Sequence, residues 1–150
     1  MNGNVTQFHR RINFLLEETD AVYHEIAAGF GLSDSAMLIL YALQAAGGQI
    51  PLAAICRQTG ASKQTINSAL RKLEADGYIS LCMADGKRKI VCLTQPGKAL
   101  AAHTAGRVLA AENEIYDSWD EDELQAYLRL TEKHLAALRE KQKELGEPPV

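Results

Sequence analysis

The sequence predicts a mainly α-helical protein that carries one small β-hairpin. Apolar residues recur every three or four positions along most of the chain, which is the spacing of one buried face on a helix. Between residues 78 and 94 the pattern changes to β-rich segments on either side of Asp85-Gly86, a dipeptide typical of hairpin turns. The 150 residues show no repeat and no linker, so we expect a single domain over residues 1–150.

Two helices are expected in the first third of the chain. The first should end near Gly29, because glycine tolerates the left-handed conformation that helix ends favour. Its narrow apolar seam is formed by Phe8, Ile12, Leu15, Thr19, Val22 and Ile26. Ser33 is placed to cap a second helix over about residues 34–45. The inward side chains of that helix are predicted to be Met37, Leu38, Tyr41 and Ala42.

Two further helices precede the hairpin. Pro51 suits the first turn of a short third helix that ends near Gln58. After the turn "TGA", Ser62 can cap a fourth helix over residues 63–75. Its buried stripe is expected to be Ile66, Ala69, Leu70 and Leu73. The opposite face is polar or basic throughout: Lys63, Gln64, Thr65, Asn67, Ser68, Arg71 and Lys72.

Two helices are expected after the hairpin. Thr94 can cap the fifth, which has Pro96 in its first turn. Its predicted inward residues are Leu100, Thr104, Val108, Ala111 and Ile115. Asp120 and Glu123 have the spacing of a capping box and should begin the sixth helix. One side of that helix carries Leu124, Leu128, Leu135 and Leu138.

Charge is distributed unevenly along a chain of ordinary globular composition, with 47% apolar residues. Residues 51–107 hold nine basic and three acidic side chains, whereas the remainder holds seven basic and sixteen acidic ones. A positive middle between negative flanks predicts contact with a polyanion at one part of the molecule.

Helix, short helix, tight turn, helix and basic hairpin together predict a winged helix-turn-helix that binds double-stranded DNA. The fourth helix would lie in the major groove, where short polar side chains reach base edges; these are Ser62, Gln64, Thr65, Asn67 and Ser68. Lys63, Arg71 and Lys72 would meet phosphates, and this helix has no acid before Glu74. The hairpin would contact the minor groove or flanking phosphates through Lys87, Arg88 and Lys89, with Arg88 at the tip.

The stretches "LSDSAMLILYAL", "RKLEADGYI" and "VCLTQPGKAL" resemble the MarR (multiple-antibiotic-resistance regulator) family of bacterial transcription factors. That family shares a Leu-Thr-x-x-Gly helix start, which residues 93–97 match, and an Asp-x-Arg wing signature. Here Lys87 takes the place of that arginine and the hairpin is about two residues shorter, which weakens the carry-over of the family's Asp–Arg brace. The resemblance implies a DNA-binding unit over about residues 33–95 and dimerisation helices at residues 4–28 and 96–144.

A homodimer is also expected from the pattern itself, since the apolar faces of the first and sixth helices lie outside the DNA-reading unit and must be buried against something. Two fourth helices related by a two-fold axis would sit about 34 Å apart on a pseudo-palindromic site. The resemblance further implies a small-molecule effector pocket, for which the candidate lining residues are Tyr23, His24, Tyr41 and His103. The predicted function is therefore a ligand-responsive, DNA-binding repressor.

Two other functions stay open. A winged helix that binds protein instead of DNA would show apolar residues on the outer face of the fourth helix, and this sequence has none there. A thiol-based redox regulator would use Cys82 and Cys92, which can share one face of the hairpin in a register that the sequence does not define. No motif indicates an enzyme or a cofactor, and the four histidines lack metal-ligand spacing.

The sequence predicts a cytoplasmic location. Three cysteines without metal-ligand spacing are typical of a reducing compartment. The longest strongly apolar run, residues 36–43, is far shorter than the roughly 20 residues of a membrane span. The first eleven residues have no apolar core of a secretory signal.

Overall fold

The computed structural model describes residues 3–146, which form seven α-helices and one three-stranded antiparallel sheet. The chain divides into two compact units, one up to Leu109 and the other from Ala110. The elements are α1 (Gly3–Gly29), α2 (Asp34–Ala45), β1 (Gln49–Pro51), α3 (Leu52–Thr59), α4 (Lys63–Ala75), β2 (Ile79–Ala84), β3 (Arg88–Leu93), α5 (Gln95–His103), α6 (Ala105–Asp117) and α7 (Glu121–Leu145). A mainly α-helical fold with a β-hairpin wing is therefore confirmed.

The predicted caps begin four of the helices. Ser33, Ser62 and Thr94 each accept a hydrogen bond from the backbone N–H three residues later, at the starts of α2, α4 and α5. Asp120 and Glu123 form the reciprocal capping box of α7. Such hydrogen bonds satisfy backbone donors that a helix start leaves unpaired, so local sequence was sufficient to locate these boundaries.

The core of the first unit is built around α2. Its Ile39, Leu40 and Leu43 are fully buried, as is Ile66 of α4. The predicted inward face of α2 was wrong for Leu38, which is exposed. The run "AMLILYAL" is apolar on all sides, so its periodicity does not identify the buried face; contacts with α3, α4, α5 and β1 do.

Strand β1 was not predicted from the sequence. It pairs antiparallel with β3 through Ile50↔Val91, so the strand order is β1-β3-β2. A three-residue segment that ends in proline carries almost no strand signal, because proline lacks the N–H of the ladder. The third helix consequently starts at Leu52, and Pro51 is its N-cap instead of a first-turn residue.

The hairpin turn has the predicted chemistry. Asp85 and Gly86 both have positive φ, at 53° and 70°, and the Lys87 N–H donates to the Ala84 carbonyl at 3.2 Å. Along β2, however, only Ile79 is buried, and Met83 is 57% exposed. Alternation predicts which side chains share a face, but the core ends before the outer half of this hairpin.

The predicted fifth helix is in fact two helices, α5 and α6, that meet at Thr104. The Thr104 side chain is buried and its hydroxyl donates to the Leu100 carbonyl at 2.7 Å. Val108 is buried as predicted, whereas Ile115 is exposed. The interruption is the single residue Thr104, followed by Gly106 in the first turn of α6, and the apolar spacing continues across it, which is why one continuous helix was predicted.

Gly97 explains the Leu-Thr-x-x-Gly pattern physically. The Thr94 N–H donates to the Tyr78 carbonyl at 3.0 Å and its hydroxyl donates to the Gly77 carbonyl at 2.6 Å, which fixes the start of α5 against the end of α4. A Cβ at position 97 would lie 1.8 Å from the Tyr78 carbonyl oxygen. Only glycine fits this close approach.

The second unit is held at its turn by an aromatic cluster. The Trp119 ring lies edge-on against Tyr116 at 5.2 Å and against Tyr127 at 5.5 Å between centroids, a favourable geometry for aromatic pairs. Burial, Tyr127 and Glu112 together raise the pKa of Tyr116 above its ordinary value. The cluster connects the end of α6 to the beginning of α7.

Within residues 3–146 no single helix is long and apolar enough to cross a membrane. Taken together, α1 and α2 are long and apolar enough by length and composition only, and the two helices are bent by 88° at the break between them.

Candidate nucleic-acid interface

Helix α4 presents a continuous polar and basic surface. Ile66, Leu70 and Leu73 anchor its inner side in the core. All seven residues of the predicted outer face are exposed: Lys63, Gln64, Thr65, Asn67, Ser68, Arg71 and Lys72. The helix thus has the form that groove insertion requires, with a rigidly packed back and a hydrophilic front.

Two of the predicted base-contacting residues already bond to each other. The Ser62 Oγ accepts from the Thr65 N–H at 3.2 Å and lies 2.7 Å from the Thr65 hydroxyl. Ser62 therefore has a structural role as the cap of α4. Gln64, Asn67 and Ser68 stay the predicted base-contacting side chains on this face.

The wing and α4 border the same groove. Lys63 and Asn67 of α4 line an open cavity of about 480 Å³ together with Lys87, Arg88 and Lys89, and its floor is the apolar start of α3. A smaller neighbouring cavity brings Asn67 and Arg71 beside Lys89. The structure therefore brings three of the predicted helix residues, Lys63, Asn67 and Arg71, together with the wing around one concave and mainly basic surface, which Glu74 also borders.

The opposite flank of α4 is bordered by the start of α2. Ser33 and Ser35 line a shallow polar depression with Gln64, Ser68 and Lys72. Sequence reasoning identified Ser33 only as a cap and did not select Ser35. The two segments are some thirty residues apart in the chain, so no local spacing could have indicated this contact.

The wing tip contains an ion pair between Asp85 and Arg88 that the family resemblance did not predict. Arg88 Nη2 lies 3.5 Å from Asp85 Oδ2, with both side chains largely exposed. Asp85 therefore has an arginine partner three residues later instead of two, but an ion pair this exposed contributes little to stability. The Arg88 guanidinium lies beside the turn and is open to solvent.

The four candidate effector residues lie on three helices. His24 Nδ1 is 2.9 Å from both carboxylate oxygens of Asp34, and the His103 Nδ1 bonds to the Ala99 carbonyl at 2.8 Å. Tyr23 is exposed on α1 and Tyr41 is half-buried on α2. None of the four lines the cavities described above, and their role in a pocket stays a prediction.

A further cavity of about 270 Å³ lies where α1 ends. It is lined by Phe30 and Leu32, by Lys72 and Asp76 of α4, and by residues of α2 and α5. Arg107 covers the Phe30 ring, with its guanidinium carbon 5.4 Å from the ring centroid. The cavity directly adjoins α4.

Among residues 3–146, no three histidine, cysteine or acidic side chains cluster as a metal site would require. His9 is instead close to the Asn13 amide, at 3.1 Å. The sulfur atoms of Cys82 and Cys92 lie 3.8 Å apart on the wing.

Comparison with known proteins gives a match to one family model. The family model that matches the chain is that of the MarR family, over residues 30–90. These residues run from the end of α1 into β3 and include the whole of α4. No curated protein matches the sequence.

The chain also shares its fold with solved structures. NMB1585, a MarR family regulator from Neisseria meningitidis, superposes with a TM-score of 0.72 at 23% identity, over 98% of this chain and 100% of that one. A MarR family transcriptional regulator from Silicibacter pomeroyi has a TM-score of 0.64 at 24% identity, over 84% and 86%. The S. aureus MepR–DNA complex has a TM-score of 0.65 at 19% identity, over 86% and 96%. This chain therefore shares the fold of these solved structures.

Proposed function

Because this chain carries the MarR-family winged helix in residues 30–90, within the fold of solved MarR structures, we propose that it regulates transcription by binding a specific double-stranded DNA site. The proposed DNA-binding unit is residues 33–95, with α4 in the major groove and the wing at the flanking backbone. The observation that carries this proposal is the convergence of α4 and the wing on one basic groove. That the similar MepR structure is a DNA complex supports it.

The basic side chains of α4 and the wing would set the salt dependence of binding; these six are Lys63, Arg71, Lys72, Lys87, Arg88 and Lys89. The logarithm of the binding constant falls with the logarithm of salt concentration by about 0.9 for each phosphate neutralised. If half of these side chains each neutralise one phosphate in each of two protomers, the plot of the logarithm of the binding constant against the logarithm of salt concentration should have a slope steeper than about −5.

A binding site should first be selected from random DNA fragments and sequenced. Fluorescence anisotropy from about 50 to 200 mM salt would then measure the slope on that site and on a scrambled sequence. We expect the selected site to bind at least about 1,000-fold more tightly. Equal affinity for both sequences, or a slope near zero, would contradict the proposal.

We further propose that the protein acts as a homodimer whose interface is formed by residues 4–28 and 96–144. In the single chain Phe8 of α1 is 64% exposed and Leu138 of α7 is 55% exposed, each within a longer apolar stripe. Apolar stripes of this extent are typical of surfaces that pair with another chain. A two-fold dimer would require a pseudo-palindromic operator.

The double variant Leu128→Glu/Leu138→Glu is expected to weaken the dimer by roughly 100-fold or more, because it introduces unpaired charge into an apolar interface. Analytical ultracentrifugation over a concentration series measures this change. Lys133→Glu is the matched control, since Lys133 is exposed on the same helix and lies off the leucine stripe. Unchanged sedimentation of the double variant would show that α7 is not the interface.

As a repressor, such a dimer would occupy its operator in the cytoplasm until an effector binds. An effector shifts the population only if it prefers the state that cannot bind DNA. The cavity beside α4, lined by Phe30, Lys72 and Asp76, is one location from which a ligand could displace that helix. Tyr23, His24, Tyr41 and His103 remain the sequence-based alternative for the effector site.

A further inference from the structure

The wing carries two cysteines whose side chains meet. Cys82 on β2 and Cys92 on β3 lie on the same face, because Ser80 is paired with Cys92 and residues two apart on a strand share a face. Their sulfur atoms are 3.8 Å apart, with the Cys92 thiol donating toward the Cys82 sulfur. Cys82 is exposed and Cys92 is half-buried, so a small reagent in solvent can reach the pair.

The pairing register of β2 and β3 decides between a disulfide bond and a bridging atom at this site. Cys82 is opposite Ile90 and therefore diagonal to Cys92. Diagonal neighbours in a sheet are typically about 7–8 Å apart, whereas a disulfide requires Cα atoms within about 6.8 Å and Cβ atoms within about 4.5 Å. Closing the sulfurs to about 2.05 Å would thus require the strands to shift. One bridging atom with bonds of about 2.3 Å and a bond angle of roughly 100–110° spans about 3.5–3.8 Å, so it requires a shift of at most a few tenths of an ångström.

The number of available ligands indicates which bridging atom fits. Tetrahedral zinc sites use three or four protein ligands, and residues 3–146 contain no cluster of three His, Cys, Asp or Glu side chains. Trivalent arsenic needs only two thiols, because its own substituent or hydroxide completes the coordination. We propose that Cys82 and Cys92 form a two-thiol site that binds one trivalent arsenical.

The reaction is a condensation and transfers no electrons. With phenylarsine oxide, two As–S bonds form, the arsenic–oxygen bond breaks, and the two thiol protons leave with that oxygen as water. Arsenic stays trivalent throughout. Burial, the hydrogen bond with Cys82 and the charge of Cys82 raise the pKa of Cys92, which keeps it as the thiol that supplies a proton. Peroxide oxidation, in contrast, requires a thiolate.

Ser80 adds a polar neighbour to the site. Its hydroxyl oxygen lies 4.0 Å from the Cys82 sulfur, on the same face of the sheet. Arsenite bound through both sulfurs would retain one hydroxide within reach of Ser80. The site thus accommodates both inorganic arsenite and an organic arsenical with a single substituent.

Intact-protein mass spectrometry tests the proposal on the full chain, reduced beforehand with a phosphine. Incubation with equimolar phenylarsine oxide should add one phenylarsenic group to the wild type, and 2,3-dimercaptopropanol should remove it. Cys82→Ser and Cys92→Ser should each bind at least about 100-fold more weakly, because a single thiol loses the gain in effective concentration. Cys56→Ser should bind like the wild type, since Cys56 lies on α3.

Retention of the adduct in the Cys82→Ser/Cys92→Ser double variant would overturn the proposal. So would a wild type that takes up no arsenical but loses two mass units with equimolar peroxide, since that would identify a disulfide pair. Circular dichroism of each variant would show that the fold is retained. The test does not involve DNA, so its result is independent of the proposed function.

Discussion

Replacing Arg71 by glutamate is expected to weaken binding to the selected DNA site by roughly 1,000-fold. Arg71 lies on the exposed face of α4, beside Asn67 and Lys89 in the groove between helix and wing. The substitution would remove the proposed phosphate contact and place a like charge against the DNA backbone, at a cost of about 2 kcal/mol in each protomer. A homodimer presents α4 twice, so the loss totals about 4 kcal/mol, or roughly three powers of ten.

Anisotropy with the labelled operator at one fixed salt concentration measures this effect. Lys133→Glu makes the same change in net charge on α7 and should alter affinity by less than about threefold, because it removes none of the proposed phosphate contacts. Asn67→Ala should instead change which bases are preferred, since amide pairing with adenine discriminates by about 1–3 kcal/mol. Equal losses for Arg71→Glu and Lys133→Glu would mean that only net charge matters and that α4 is not the contact surface.

Replacing Gly97 by alanine is expected to cost about 3 kcal/mol or more of folding free energy. The added Cβ would lie 1.8 Å from the Tyr78 carbonyl oxygen, and that oxygen already accepts the Thr94 N–H. A clash with backbone cannot be relieved by a rotamer change, so the start of α5 must move away from β2. The midpoint of thermal unfolding should fall by roughly 10 °C.

Differential scanning calorimetry at one protein concentration provides this comparison. Gly29→Ala is the matched control, because Gly29 ends α1 with open space around its Cβ position and without a positive φ. We expect that variant to unfold within about 2 °C of the wild type. An equal and small effect at both positions would show that the contact between α5 and Tyr78 is looser than the structure indicates.

The sequence was sufficient wherever the decisive interaction is local. Ser62 and Thr94 cap their helices through backbone groups three residues away, and Asp85-Gly86 forms its turn from its own backbone preferences. The polar face of α4 was predictable because its buried and exposed positions repeat with the helix period. These interactions involve residues that are close together in the chain, so the sequence pattern is sufficient to predict them.

Tertiary structure alone decided the remaining features. β1 exists because Ile50 pairs with Val91, some forty residues later, and the buried side of α2 is decided by the other elements that pack against it, which leave Leu38 exposed. Pairing between strands brings Cys82 to Cys92, and packing between α4 and the wing forms the groove that they share. Both features depend on contacts between segments that are far apart in the chain, and no periodic pattern in the sequence encodes such contacts. Periodicity tells which side of an element is apolar, but only packing between distant segments determines what each side meets.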